Sequence, residues 1–384
     1  MKAMKHVKAA LMAFLVGMVG FWMPTDSLAA GVCTHSAQAA VVYDPQSDTV
    51  LYETKGQEEL PMASTTKIMT AYLVLESAEL SDWRVTVSET AVSQEGSSSG
   101  LKAGDVIRLS DLAACMLLAS GNEAAVAGAE AVAGSEEAFV ALMNEQAQAW
   151  GLQHTHFNTA SGLDGESHYT TARDLAKMAA CAMENDAFRA LWSEKEKQVS
   201  VQGADGTVRT LSLTNHNKLL WQMEGCVGGK TGYTQKAGRC LVSCAERDGA
   251  RLIAVTLHDP DDWRDHDALL TYGFSQMARF TVSEAETACS ITAQDGGTFQ
   301  AVPEQDEIQF VLPAGKQKIT RQVTCPAPKA SPQEGEAVGQ IEYWLQEKKI
   351  GQITLLARHV VQPPENPPWW EQGWQAILSF FGLG

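Results

Sequence analysis

Apolar and polar positions change period several times along the 384-residue chain. Alternation in Ala40-Val41-Val42-Tyr43 and Val50-Leu51-Tyr52, separated by Asp44-Pro45-Gln46-Ser47-Asp48, predicts a β-hairpin. Helical spacing then takes over in Ile68 to Glu76, Leu112 to Leu118, Ala124 to Ala133, Phe139 to Trp150 and Leu175 to Ala182. Thr171-Ala172-Arg173-Asp174 has the form of a capping box before the last of these. Strand patterns return in Arg239 to Ala245 and Arg251 to His258, joined by the turn Glu246-Arg247-Asp248-Gly249, and a helix is predicted over Asp261 to Met277. An early hairpin, a run of helices and late strands predict an α+β fold, an antiparallel sheet flanked by helices with a helical subdomain. From about Arg279, β-rich runs such as Ile308-Gln309-Phe310-Val311 and Gln340-Ile341-Glu342-Tyr343-Trp344 alternate with turn clusters and predict a small all-β domain.

The two ends of the chain read differently. Lys2, Lys5 and Lys8 precede an apolar run from Ala9 to Met23, Pro24 breaks it, and Ser27-Leu28-Ala29-Ala30 follows. That order is an export signal, cleaved near Ala29 or at the later Ala37-Gln38-Ala39. The run is shorter than the ~20 residues that span a bilayer. At the other end Gln362-Pro363-Pro364-Glu365-Asn366-Pro367-Pro368 predicts an extended linker, and Trp369 to Gly384 an amphipathic helix. At ~100° per residue Trp369, Trp370, Trp374, Ile377, Leu378, Phe380 and Phe381 share one half of the wheel, with Glu371, Gln372, Gln375 and Ser379 opposite. Sixteen residues give about 24 Å, short of the ~30 Å hydrocarbon core, so the helix is expected to lie in the membrane interface. The expected divisions are 1–30, 31–277, 278–362 and 363–384.

Composition narrows the partners. The chain carries 29 Lys+Arg against 46 Asp+Glu, a net charge of −17, and loss of residues 1–30 makes it −19. No basic stripe exists for phosphates, so nucleic acid is excluded, and attachment to an anionic envelope would rest on apolar burial. Eight cysteines are too dilute for a small disulfide scaffold. Cys240 and Cys244 would sit about 13 Å apart on a strand, too far to bond each other. Pairing with Cys226, pairing of Cys289 with Cys325, and unpaired thiols all remain open.

Three short motifs carry chemistry. Ser64-Thr65-Thr66-Lys67 heads a helix and brings a lysine amine over a serine hydroxyl one turn away, an activated nucleophile. Ser120-Gly121-Asn122 follows an apolar helix, and Lys230-Thr231-Gly232 precedes the late strands. Each is weak alone, and the ordered set is strong. Pro61 to Thr70, Thr155-His156-Phe157-Asn158 with Ser161-Gly162-Leu163, Thr171 to Leu175, and Lys230 to Thr234 extend the pattern. Over roughly Ala39 to Phe274 the chain resembles the serine-type D-alanyl-D-alanine carboxypeptidases, low-molecular-weight penicillin-binding proteins.

The resemblance implies a β-lactamase/transpeptidase-like fold and a set of roles. Ser64 would attack the carbonyl of the penultimate D-alanine of a peptidoglycan stem, with Lys67 as proton acceptor. Ser120 would pass a proton to the departing amine, and Asn122 would offer its amide to the substrate backbone. Lys230 and Thr231 would hold the terminal carboxylate with help from Arg264, and Gly232 would let the peptide lie close to the strand edge. Backbone N–H groups of Ser64 and Tyr233 would hold the oxyanion. No metal or organic cofactor is required. β-Lactams would act as inhibitors, and the tail would contact lipid at the outer face of the cytoplasmic membrane. A DD-endopeptidase, a β-lactamase and a non-catalytic peptidoglycan- or penicillin-binding module are the alternatives.

Other signals lead elsewhere. Gly96-Ser97-Ser98-Ser99-Gly100 has the form of a nucleophile elbow, without the strand before it or the helix after it, and is read as a loop. Gly229-Lys230-Thr231 fails as a phosphate loop because Glu224 stands where glycine is required. His154, His156 and His168 lack companions at metal-ligand spacing and are read as locally bonded. Glu166 sits where a class A β-lactamase places its deacylating glutamate, but Leu163 to His168 reads as the carboxypeptidase loop.

Overall fold

The computed structural model describes residues 15–18, 33–315 and 317–362. The linker and amphipathic tail expected over 363–384 lie outside the described residues, as does the expected export signal apart from Leu15–Met18. The described residues divide into two compact units, 33–278 with 311–314, and 279–310 with 15–18, 315 and 317–362.

The larger unit is built on a five-stranded antiparallel sheet in the order Thr49–Thr54, Ala39–Asp44, Ala250–Leu257, Gly238–Arg247, Cys226–Thr234. Period two decides its packing. Val41, Tyr43, Val242, Cys244, Ile253 and Val255 join one core, with the helices Lys67–Leu80 and Ala172–Ala182. Ala40, Val42, Leu241, Ala245, Leu252 and Ala254 join a second core with Leu269 and Leu270 of the helix Asp262–Ser275. Both faces are dry, so Ala39–Asp44 is buried at every position. The helices Leu109–Leu117, Asn122–Ala133 and Glu136–Ala149 complete the first core. Several helices start on side-chain caps, Ser135 accepting from Ala138 N at 3.2 Å and Thr171 from Asp174 N at 3.1 Å. Each such cap stabilises its helix by about 1 kcal/mol. The α+β reading, including the insertion of helices between early and late strands, is the architecture observed.

A second sheet of this unit was not anticipated. Arg84–Thr86, Val106–Arg108, Glu196–Gln202 and Val208–Thr214 form four antiparallel strands. Two of them are three residues long, too short to show a period, and Gly203-Ala204-Asp205-Gly206 marks the turn joining the longer pair. No disulfide links Cys33, Cys115, Cys226, Cys240, Cys244, Cys289 or Cys325, and burial pushes the Cys115 and Cys240 thiols up to about 12.

The smaller unit carries a six-stranded antiparallel sheet in the order Leu15–Met18, Ile319–Thr324, Ala337–Leu345, Lys348–Val361, Thr298–Pro303, Cys289–Thr292. Leu15 pairs with Val323 at its edge. Inside it, Glu284 is buried at 2% exposure and receives Arg321 Nε and Nη2, each at 2.6 Å, and the Tyr343 hydroxyl at 2.7 Å. A buried carboxylate needs such donors. Replacing Arg321 with Met strands Glu284, and the expected loss is about 3 kcal/mol in the unfolding of this unit. Urea unfolding monitored by tryptophan fluorescence checks it; an unchanged midpoint would show the pair to be dispensable.

Candidate active site

Ser64 stands in a 3-10 turn, Ala63–Thr66, that runs directly into the helix beginning at Lys67. Two of the site's corners are held in the left-handed region, Ala63 at φ 48° and Ser120 at φ 59°. Non-glycine residues there carry strain that the surroundings must hold. Thr66 Oγ1 donates to Ala63 O at 2.8 Å and sits 2.7 Å from His168 Nε2. His168 Nδ1 accepts from Asn158 N at 3.0 Å, which places the ring proton on Nε2, facing Thr66. Burial, with His156 and Lys67 nearby, pushes His168 down to about 4, so it stays neutral and serves as a strut. This is the local hydrogen-bonding role expected of the loop histidines. Gly162, at φ +87°, lets the opposite loop close onto Ala63 O, where a Cβ would collide with backbone.

Lys67 is fully buried and its amine reaches three oxygens, Ser64 Oγ at 3.0 Å, Asn122 Oδ1 at 2.7 Å and Ser161 O at 2.6 Å. Burial, and then the positive charge of Lys230, push its pKa well below that of an ordinary lysine, with Glu123 acting in the opposite direction. A neutral amine has two N–H groups and one lone pair. Asn122 Oδ1 and Ser161 O cannot donate from those atoms, so they take the two N–H groups. The lone pair is left for the Ser64 hydroxyl proton, which is the arrangement of a general base.

Lys230 is the second buried amine, at 1% exposure, donating to Ser120 Oγ and Thr231 O, each at 2.9 Å. Burial lowers it to about 7. Lys230, Thr231, Gly232 and Tyr233 lie in the edge strand Cys226–Thr234, whose neighbour in register opposite Tyr233 is Arg239. A Cβ on Gly232 would stand 3.0 Å from Met62 O and 3.1 Å from Ser64 N. The glycine therefore lets the strand press against the nucleophile turn, a requirement separate from the peptide-clearance role expected of it. That approach brings the backbone of Ser64 close to the edge strand that carries Tyr233.

Asn122 has a second task besides the one expected of it. Its Nδ2 gives one N–H to Glu95 O at 2.6 Å and its Oδ1 holds Lys67. The loop that contains Glu95 is tied by a residue the sequence did not single out. Glu123, 3% exposed, accepts at one oxygen from Ser98 Oγ at 2.8 Å, Ser99 N at 2.6 Å, Ser99 Oγ at 2.8 Å and Gly100 N at 3.1 Å. The Gly96 to Gly100 elbow-like sequence is thus a loop wrapped on a carboxylate, and it delivers Ser97 to the cleft. Nothing in the spacing of the chain could have revealed this knot.

The cleft encloses about 280 Å³ and is lined by Ser64, Ser97, Ser120, His216, Thr231 and Arg239 among others. Arg264, expected beside the carboxylate site, is outside it. Its guanidinium is solvent-facing and held by Asp261 at 3.0 Å and Asp265 at 3.4 Å, because it points away along the helix Asp262–Ser275. Arg239 occupies the cleft in its stead, paired with Asp262 at 2.6 and 2.8 Å and lying 5.5 Å over the Trp263 ring. Glu166 is exposed on its loop and is not among the cleft residues.

A serine, a buried amine whose pKa is pushed down and a second buried amine that holds Ser120 define a serine acyl-transferase site of the DD-peptidase type. Residues 26–261 match the family described as D-alanyl-D-alanine carboxypeptidase, and the chain belongs to that family. It is 32% identical to D-alanyl-D-alanine carboxypeptidase DacC of Escherichia coli over 90% of this chain and 88% of that one. It is 34% identical to DacF of Bacillus subtilis over 66% of this chain, and the match spans only 64% of the Bacillus protein. The Streptomyces K15 DD-transpeptidase structure superposes with a TM-score of 0.61 at 32% identity, covering 63% of this chain and 98% of the other. DacD of Francisella tularensis gives a TM-score of 0.61 at 26% identity over 89% and 98%. The protein is a serine-type carboxypeptidase, a hydrolase.

Opposite pH shifts test the electrostatics. With Lys67 as the proton acceptor, the acylation rate is expected to fall as pH drops through its pKa. Lys230→Met removes a repelling cation, raises that pKa and should move the acid limb up by about one pH unit. Glu123→Gln removes an attracting anion and should move it down. The pH profile of penicillin acylation measures both, and shifts of the same sign would refute the assignment.

Proposed function

We propose that the enzyme removes the terminal D-alanine from peptidoglycan pentapeptide stems through an acyl-enzyme on Ser64. The observation that carries this reading is the three-oxygen seat of Lys67, which leaves its lone pair to the Ser64 hydroxyl. The Ser64 proton moves to Lys67 Nζ as Oγ bonds to the penultimate D-alanine carbonyl carbon. The N–H groups of Ser64 and Tyr233 bind the resulting oxyanion, each worth a few kcal/mol in typical sites. As the C–N bond breaks, Ser120 supplies a proton to the departing amine and is resupplied from the lysines, since Lys230 holds its hydroxyl at 2.9 Å. Water then attacks the ester and gives a proton to Lys67, which returns it to Ser64 Oγ as the ester C–O bond breaks and the shortened stem leaves as the acid.

Lys230 and Thr231 receive the terminal carboxylate, and Arg239 takes the wall position expected of Arg264, with its charge matched by Asp262. Asn122 serves Lys67 in this scheme. β-Lactams acylate the same serine, and the absence of Glu166 from the cleft lining favours slow release and hence inhibition.

The protein acts outside the cytoplasm, exported by residues 1–30, and the tail 369–384 lies on the outer face of the cytoplasmic membrane. Among the described residues no helix is long and apolar enough to cross a membrane. The tryptophan-rich wheel of the tail supports interfacial attachment.

Two experiments decide these points. The soluble form lacking residues 1–30 and 369–384 should release D-alanine from a pentapeptide ending in D-Ala-D-Ala. Ser64→Ala should lose that release by at least about 10³-fold, together with fluorescent penicillin labelling. Equal release by the variant would sink the mechanism, and cleavage of a cross-linked dimer in preference to the pentapeptide would make the enzyme an endopeptidase. Restoring 369–384 should bring binding to liposomes at any salt concentration; no difference between the two forms would remove the anchor.

A further inference from the structure

We propose that His216 binds the substrate's C-terminal carboxylate and makes the enzyme selective for a free-acid terminus. The assignment rests on the reading in which Lys230 and Thr231 receive that carboxylate. His216 lines the cleft together with Ser120 and Thr231. Its backbone N–H donates to Leu118 O at 3.3 Å, two residues before Ser120, which fixes the residue to the same corner of the site.

Its neighbours determine where the ring points. Asn215 and Asn217 are buried at 5% and 0% exposure. Asn215 Nδ2 donates to Glu194 O at 3.1 Å, and Asn215 Oδ1 accepts from Asn217 N at 2.9 Å. Asn217 Oδ1 accepts from Leu219 N at 3.1 Å. With the residues on either side turned inward, the imidazole between them is turned out into the cleft. The imidazole makes no hydrogen bond among the described residues, while both neighbouring side chains are hydrogen-bonded inward.

The chemistry of the cleft leaves a place for it. Lys230 has already given two of its N–H groups, to Ser120 and Thr231, and a carboxylate has about four acceptor positions. The Arg239 charge is matched by Asp262, leaving the cleft short of donors. Partial burial and the nearby Lys230 hold the His216 pKa below its usual value, so the ring enters as a neutral imidazole with one N–H to give. A neutral donor beside Lys230 favours a carboxylate there without repelling the ammonium.

The test compares two peptides that differ only at the terminus, one ending in D-Ala-D-Ala and one in D-Ala-D-Ala carboxamide. His216→Ala should lower kcat/KM for the acid by about tenfold or more, the range for a hydrogen bond to a charged group, and leave the carboxamide unchanged. His216→Gln, which keeps an N–H donor, should recover part of the loss. Equal losses on both peptides, or no loss on either, would overturn the assignment. A parent enzyme that cleaves both peptides equally would refute the carboxylate role of Lys230 and Thr231 and His216 with it, while the Ser64→Ala result stands independently.

Discussion

Two lysine amines buried side by side without a carboxylate between them govern this structure. Burying a charged ammonium is expensive, and burying two together is worse, so at least one must be neutral near pH 7. The fold meets that requirement with oxygens and keeps anions out of the first layer. Lys67 and Lys230 see amide, hydroxyl and carbonyl groups, and the nearby carboxylate, Glu123, is turned to the backbone and hydroxyls of the loop 98–100. The sheet with two dry faces supplies the stiffness that holds both amines in place.

The remaining parts of the site can be understood as supports for that pair. The edge strand carries Lys230 and presses against the nucleophile turn through Gly232. The strut from Asn158 through His168 to Thr66 holds the turn from behind. The Glu123 knot holds the loop that in turn orients Asn122, and Asn122 determines where the Lys67 lone pair faces. Loss of any one support would move the base relative to the hydroxyl, to which proton transfer is sensitive over fractions of an ångström.

How much of this could be read from the chain depended on the range of the signal. The hairpin at 39–54, the helices and the late strands were legible because each repeats its period over several residues. Ser64, Lys67, Ser120 and Lys230 were legible because the chemistry fixes residue types at short spacing, and the structure brings these four together. Arg264 was misplaced because one helical turn decides whether a side chain faces the cleft or solvent, and three acidic neighbours in Asp261, Asp262 and Asp265 left that choice open. Arg239, His216 and Glu123 were invisible because their importance comes from contacts with residues distant in the sequence, whereas His168 was legible as a locally bonded loop histidine without its partner Thr66 being evident.

The left-handed backbone at Ala63 and Ser120 has a consequence for how this enzyme can change over generations. β-Branched side chains are shut out of both positions by sterics, and Gly162 is closed even to alanine by the carbonyl of Ala63. The interior of the site is therefore nearly frozen against single substitutions. Variation that retunes inhibitor sensitivity or substrate choice has to enter at the rim, through positions such as His216, Tyr233 and Arg239 whose backbones carry no such restriction. The catalytic core and the specificity rim are thus free to evolve at different rates within one small cleft.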